Sequence, residues 1–152
     1  MTAPAATPEQ IAVAAFLKRH EKWLRHAKRE HFLPFIQWYW HDARIGVVRE
    51  NGRVRAVALV RAVDEVAQAN EPYFHAEKGR IVWIDHIASC HPLGVPILMR
   101  QAMQRFGPRE AFAGHVFNRD GELRMLPWQV VERMTKQNDH GLTEHPRAAC
   151  CA

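Results

Sequence analysis

The chain has 152 residues, 47% of them apolar, with a formal charge of +5 at neutral pH and a pI near 9.5. That length suits one domain with a packed core, and the moderate positive charge permits an acidic partner without demanding one. No stretch approaches the roughly 20 apolar residues of a membrane span, and Met1–Ala6 has neither a basic region nor an apolar run behind it, so neither a span nor a secretory leader is expected. Cys90 stands alone, and Cys150 and Cys151 are adjacent near the end. Such cysteines make no disulfide framework, and a reducing, cytoplasmic setting is expected.

Thr7-Pro8-Glu9-Gln10 reads as a helix start, with Thr7 as cap, Pro8 in the first turn and Gln10 completing a capping box. Val13, Phe16, Leu17, His20 and Leu24 then recur at helical spacing, while Lys18, Lys22, Arg25 and Arg29 lie opposite. Pro34 is expected to end or kink this region. The aromatic cluster Phe32, Phe35, Trp38, Tyr39 and Trp40 reads as core.

Ile45–Arg49 and Val54–Val63 read as strands joined at Asn51-Gly52, a type I′ hairpin signal. Asp64–Lys78 is polar, with a short helix expected at Glu65–Ala69. Arg80–Ala88 is apolar on both faces, with Ile81, Trp83 and Ile87 expected to point one way and Val82, Ile84 and Ala88 the other. A strand of that kind belongs inside a sheet covered on both sides. Val95, Leu98, Met99, Ala102 and Phe106 mark a helix that Gly107-Pro108 closes. Phe112–Phe117 and Leu123–Leu126 read as strands around a second hairpin turn at Asp120-Gly121. A last helix opens at Pro127, with Val130, Val131 and Met134 on one face.

This order predicts an α/β (α+β) domain over residues 7–135, followed by a loose tail over 136–152. Its single mixed, mostly antiparallel sheet carries helices on both faces. Val54–Val63 and Arg80–Ala88 pair antiparallel, and Phe112–Phe117 returns parallel.

Asp85 is the chemical oddity of the central strand. A carboxylate there needs a partner or a role, and a bond to a loop or to Trp128 is the structural alternative. His20, on an apolar helix face, reads first as a core histidine. His86, Cys90 and His91 invite a metal reading, but their spacing does not fit a zinc pair and no metal site is expected. Cys90 as a nucleophile would need His91 as its base, yet neighbours on an extended strand face apart.

The segment Trp83-Ile84-Asp85-His86-Ile87-Ala88, then Gly94 and Met103-Gln104-Arg105-Phe106, resembles the core of the toxin-activating lysine acyltransferases. His20-Glu21-Lys22-Trp23 and Leu33-Pro34-Phe35-Ile36 resemble that family's N-terminal segments at the same spacing. The resemblance implies a fold related to the GNAT acyltransferase superfamily. It also implies transfer of an acyl group to a protein lysine, with His20 and Asp85 as catalytic residues. The donor would be an acyl carrier protein, or less readily acyl-coenzyme A, with no bound cofactor.

The loop Ser89–Pro96 is where such a donor would lie, with Ser89, Gly94, Val95 and Arg100 as donor-binding residues. Pro92 and Pro96 offer no N–H, which disfavours a diphosphate and suits the single phosphate of a carrier-protein arm. Arg100 and Arg105, with the Lys18–Arg29 stripe, could dock an acidic carrier. The alternative from another class is a non-catalytic GNAT-like binding module that uses the same stripe, as a basic helix, to dock an acidic protein or nucleic acid. Of those two partners nucleic acid is the weaker expectation, because only Trp23 interleaves with those charges. A homodimer is left open.

Overall fold

One tight turn and one doubly apolar strand organise the sheet. The computed structural model describes residues 4–117 and 120–137, so the tail expected over 136–152 lies almost wholly outside the described residues. In chain order the elements are α1 (Pro8–His20), α2 (Arg29–His41), β1 (Ile45–Glu50), β2 (Arg53–Val63), β3 (Ile81–Ser89), α3 (Gly94–Phe106), β4 (Ala111–Gly114), β5 (Arg124–Pro127) and α4 (Trp128–Gln137). The strands form one open sheet in the order β1-β2-β3-β4-β5. Each pair is antiparallel except β3 with β4, which is parallel. The fold is the α+β architecture expected, and among the described residues no helix is long and apolar enough to cross a membrane.

Thr7 caps α1 reciprocally with Gln10, as the sequence requires. Asn51 and Gly52, at φ 53° and 77°, make the tight β1–β2 turn, because a type I′ geometry needs a positive φ at both positions. From Ala56 to Val63 β2 alternates, whereas Arg55 is an extra residue opposite β1 and puts Val54 on the other face from Ala56. Ala56, Ala58, Val60 and Ala62 face α3 and α4, in a core with Leu98, Phe106, Trp128 and Val131. Val57 and Leu59 face α1 and α2. Further along that second face stand Arg61 and Val63, the latter packed with Ile81, Trp83 and Ala113.

Several expectations are corrected. Pro34 lies inside α2 rather than ending it. The strand expected over Phe112–Phe117 stops at Gly114 and becomes a 3-10 turn at His115–Phe117. Asp120-Gly121 therefore belongs to a long connection into β5, not a tight hairpin, and only Gly121 has a positive φ, 76°. On α4, Val131 is buried but Met134 is 49% exposed, so the inward face runs through Trp128, Val131 and Thr135.

β3 is interior, but its faces are not those of simple alternation. Leu59 pairs with His86 and Val60 with Ile84, which leaves Asp85 as the extra residue of a β-bulge. Beyond the bulge the sides exchange. Ile87 joins Val82 and Ile84 on the α3 face, and Ala88 joins the α1–α2 core.

Candidate functional site

β3 and β4 pair only from Ile81–Ala111 to Trp83–Ala113. β3 then continues to Ser89, while β4 ends at Gly114 and turns away. Gly114 lies where the parting begins: a Cβ there would stand 2.7 Å from the Ile84 carbonyl oxygen. The space between the two chains is a cleft with two lobes that share Trp23, His115, Val116 and Gly121 as walls. One lobe, about 320 Å³, reaches His20, Glu21 and Ile87. The other, about 410 Å³, reaches Asp85 and His86. Trp23 is 65% exposed and forms the lip.

Asp85 is at the cleft because of the bulge, and its carboxylate is fully engaged. Arg61 on β2 donates to it twice, Nε to Oδ2 at 2.9 Å and Nη2 to Oδ1 at 3.0 Å. Tyr39 Oη donates at 2.5 Å and Trp83 Nε1 at 3.0 Å. Burial, then the Asp85 charge, raise the Tyr39 phenol, so it stays a neutral donor. Arg61 also donates to the carbonyls of Ala69, Glu71 and Phe74. Asp85 thus ties α2 to the bulge through Tyr39, and the 69–74 connection to the bulge through one buried guanidinium. Its partner is not Trp128, which stacks on Phe112 on the opposite side of the sheet.

His20, at the end of α1, borders the first lobe and packs its ring on Phe16 at 4.4 Å. Desolvation, then the charge of Arg19, lower its pKa, so the imidazole is neutral at pH 7. His20 and Asp85 therefore open onto one cleft, but among the described residues no hydrogen bond joins them.

A different carboxylate and imidazole do approach each other. Glu21 ends α1 with its side chain 8% exposed, and its Oε2 lies 3.8 Å from Nδ1 of His86. Its Oε1 accepts the Trp23 N–H at 3.2 Å. Burial works to raise the Glu21 carboxyl, but the His86 imidazole and the Trp23 N–H outweigh it and hold the pKa below the ordinary value. His86 reaches this position because the bulge puts it on the same sheet side as Asp85, against the edge of Phe35. Across the cleft, His115 donates from Nδ1 to the Gly121 carbonyl at 2.7 Å.

The expected donor loop is closed on itself. Ser89 Oγ donates to the His91 carbonyl at 2.8 Å and accepts the His91 N–H. Gly94 is packed so tightly that a Cβ would meet Ser89 Oγ at 2.0 Å. The N–H groups of Leu93 and Gly94 are taken by Nδ1 and the carbonyl of His91. Val95 is exposed at the start of α3, whereas Arg100 lies further along and donates to the Thr135 carbonyl of α4. The structure thus joins Ser89 with Gly94, and leaves Arg100 away from them. Arg105 is held by Glu77 and the Asp42 carbonyl.

Cys90 is buried and its thiol is free. His91 is no base for it, since Nδ1 takes the Leu93 N–H and Nε2 faces Glu50 at 3.4 Å. Among the described residues no three His, Cys, Asp or Glu side chains converge on a metal-sized site.

Three participants escaped the reading of the sequence: Glu21, His86 as its partner, and Arg61. The signals were faint. Glu21 sits inside the His20–Trp23 segment, and Arg61 is the single charge in the apolar run Ala56–Val63. No protein-family model, no curated protein and no solved structure matches the chain.

Proposed function

We propose that this protein transfers an acyl group from a thioester to a primary amine, as the resemblance to the lysine acyltransferases implies. The observation that carries this reading is the parting of parallel strands β3 and β4 into a cleft that His20, His86 and His115 all border. An extended thioester arm fits between two such strands, beside a β3 edge that β4 leaves unpaired beyond Trp83. Attack by an amine needs an imidazole to take its proton, and the cleft presents three, His20, His86 and His115. Asp85 serves by positioning, since its oxygens are held by Arg61, Tyr39 and Trp83.

A carrier-protein donor suits the site better than coenzyme A. The α3 N-terminus has its Leu93 and Gly94 N–H groups engaged by His91, and Pro96 has none, so a diphosphate finds few donors there. Exposed Lys22, Arg25, Lys28 and Arg29 flank the lip residue Trp23 and suit an acidic carrier.

The test supplies the full chain with octanoyl-carrier protein or octanoyl-coenzyme A and a lysine amide acceptor, and measures the octanoyl amide by mass spectrometry. Amide formed faster from the carrier-protein thioester is the expected result. Amide at the uncatalysed rate with both donors removes the acyltransferase reading.

A further inference from the structure

We infer that His86 is the general base of the cleft and that Glu21 is its positioning residue. The inference rests on the acyl-transfer reading above and assigns its proton-handling pair.

Two unmet needs face each other across 3.8 Å. Glu21 is a buried carboxylate, and a buried anion requires donors. The Trp23 N–H supplies one to Oε1, and His86 Nδ1 lies 3.8 Å from Oε2. Nδ1 of His86 is itself buried with no hydrogen-bond partner among the described residues. A proton on Nδ1 answers both needs, and it leaves Nε2 with a lone pair. The separation is that of an ion pair, longer than a hydrogen bond, and contacts of this kind tighten when a substrate closes the site. His86 lines the lobe shared with Asp85 and His115.

The other groups at the cleft do not make such a pair. Asp85 has both oxygens taken by Arg61, Tyr39 and Trp83. His20 rests on the Phe16 ring, and His115 is oriented by a neutral carbonyl. A carboxylate orients an imidazole and also stabilises it once charged, which a carbonyl does far less well. The charged and titratable groups around His86 are Glu21, its neighbour Lys22, Asp85 with Arg61 bound to it, and His115 across the cleft.

The chemistry balances without a further reactant. The amine nitrogen attacks the thioester carbonyl carbon, and a C–N bond forms. His86 Nε2 takes the proton that nitrogen sheds, and Glu21 steadies the resulting imidazolium. The tetrahedral intermediate collapses, the C–S bond breaks, and the thiolate recovers the proton from Nε2. The products are an amide and a thiol.

The first measurement needs no ligand. Long-range proton–nitrogen NMR of the full chain at pH 8 reads the tautomer of each histidine. The expected result is His86 in the Nδ1–H form in the wild type, reverting to Nε2–H in Glu21→Leu. Wild-type His86 in the Nε2–H form overturns the pair, whatever the activity and whether or not the variant folds. The second measurement follows octanoyl transfer from carrier protein to a lysine amide. His86→Ala should lose at least about 100-fold in rate, the scale of general-base loss, and recover in part with added imidazole. His20→Ala should lose less and gain nothing from imidazole. Rescue of His20→Ala but not of His86→Ala overturns the assignment of the base. An Nδ1–H tautomer together with no amide from the wild type sinks the catalytic role through the acyl-transfer reading, while the Glu21–His86 contact stands.

Discussion

Replacing Asp85 by Asn should be felt first in stability. The carboxylate accepts from four donors, two of them on Arg61, whose side chain is 5% exposed. Asn keeps one acceptor oxygen and turns an NH₂ toward a guanidinium or an indole N–H. Arg61 then stays buried without a counter-charge, held by the carbonyls of Ala69, Glu71 and Phe74. Breaking a buried ion pair from one side costs about 3–5 kcal/mol. The retained oxygen and the three carbonyls place Asp85→Asn at the low end, about 3 kcal/mol. For a chain of this size that lowers Tm by roughly 6–12 °C. Tyr39→Phe, which removes a single hydrogen bond to a charged group, should cost about 1.5–3 kcal/mol in the wild type. It should cost less in the Asp85→Asn background, because the two share one oxygen. Thermal and urea unfolding followed by circular dichroism measure both. An Asp85→Asn protein that melts within about 2 °C of the wild type would show that the buried network does not hold the bulge.

The Glu77–Arg105 clasp should carry a pH signature. The Arg105 guanidinium, then His75, hold the Glu77 carboxyl at about 2, below its ordinary 4.5, so its stabilisation is present above 4.5 and is lost as pH falls toward 2. Glu77 is 57% exposed, which limits the effect to under about 1 kcal/mol. The stability gap between wild type and Glu77→Gln should narrow steadily as pH falls from 4.5 to 2, and a gap equal at pH 7 and pH 2 would refute the cause. Gly94→Ala should destabilise by about 1–3 kcal/mol, because the new Cβ meets Ser89 Oγ and the Ala56 methyl. Ser89→Ala should relieve part of that cost, and an unfolding series showing strict additivity would contradict the contact. Charge reversal at Lys22 and Arg25 should slow carrier-protein association several-fold at low salt and little at about 0.5 M salt, as screening of exposed charges requires. Stopped-flow rates that do not depend on salt would refute that docking face.

Some of this protein is written locally. The Thr7–Gln10 box, the Asn51-Gly52 turn and the Gly107 stop each depend on a few neighbouring residues, so their outcome is legible in the sequence. The interior place of β3 follows from an apolar pattern on both its faces, and its two pairing directions follow from what connects it to β2 and β4. Asp85 and His20 were legible as candidates, and both border the cleft. Their partners were not. A β-bulge is a mismatch of register between two strands, and a period of two along one strand cannot show which residue is the extra one. That one residue decided that Asp85 and His86 share a side, that Arg61 across the ladder neutralises Asp85, and that the acid facing an imidazole is Glu21 from the end of α1. Buried charges find partners by proximity in three dimensions, and only the packing of α1 and α2 on the sheet set which groups came within reach.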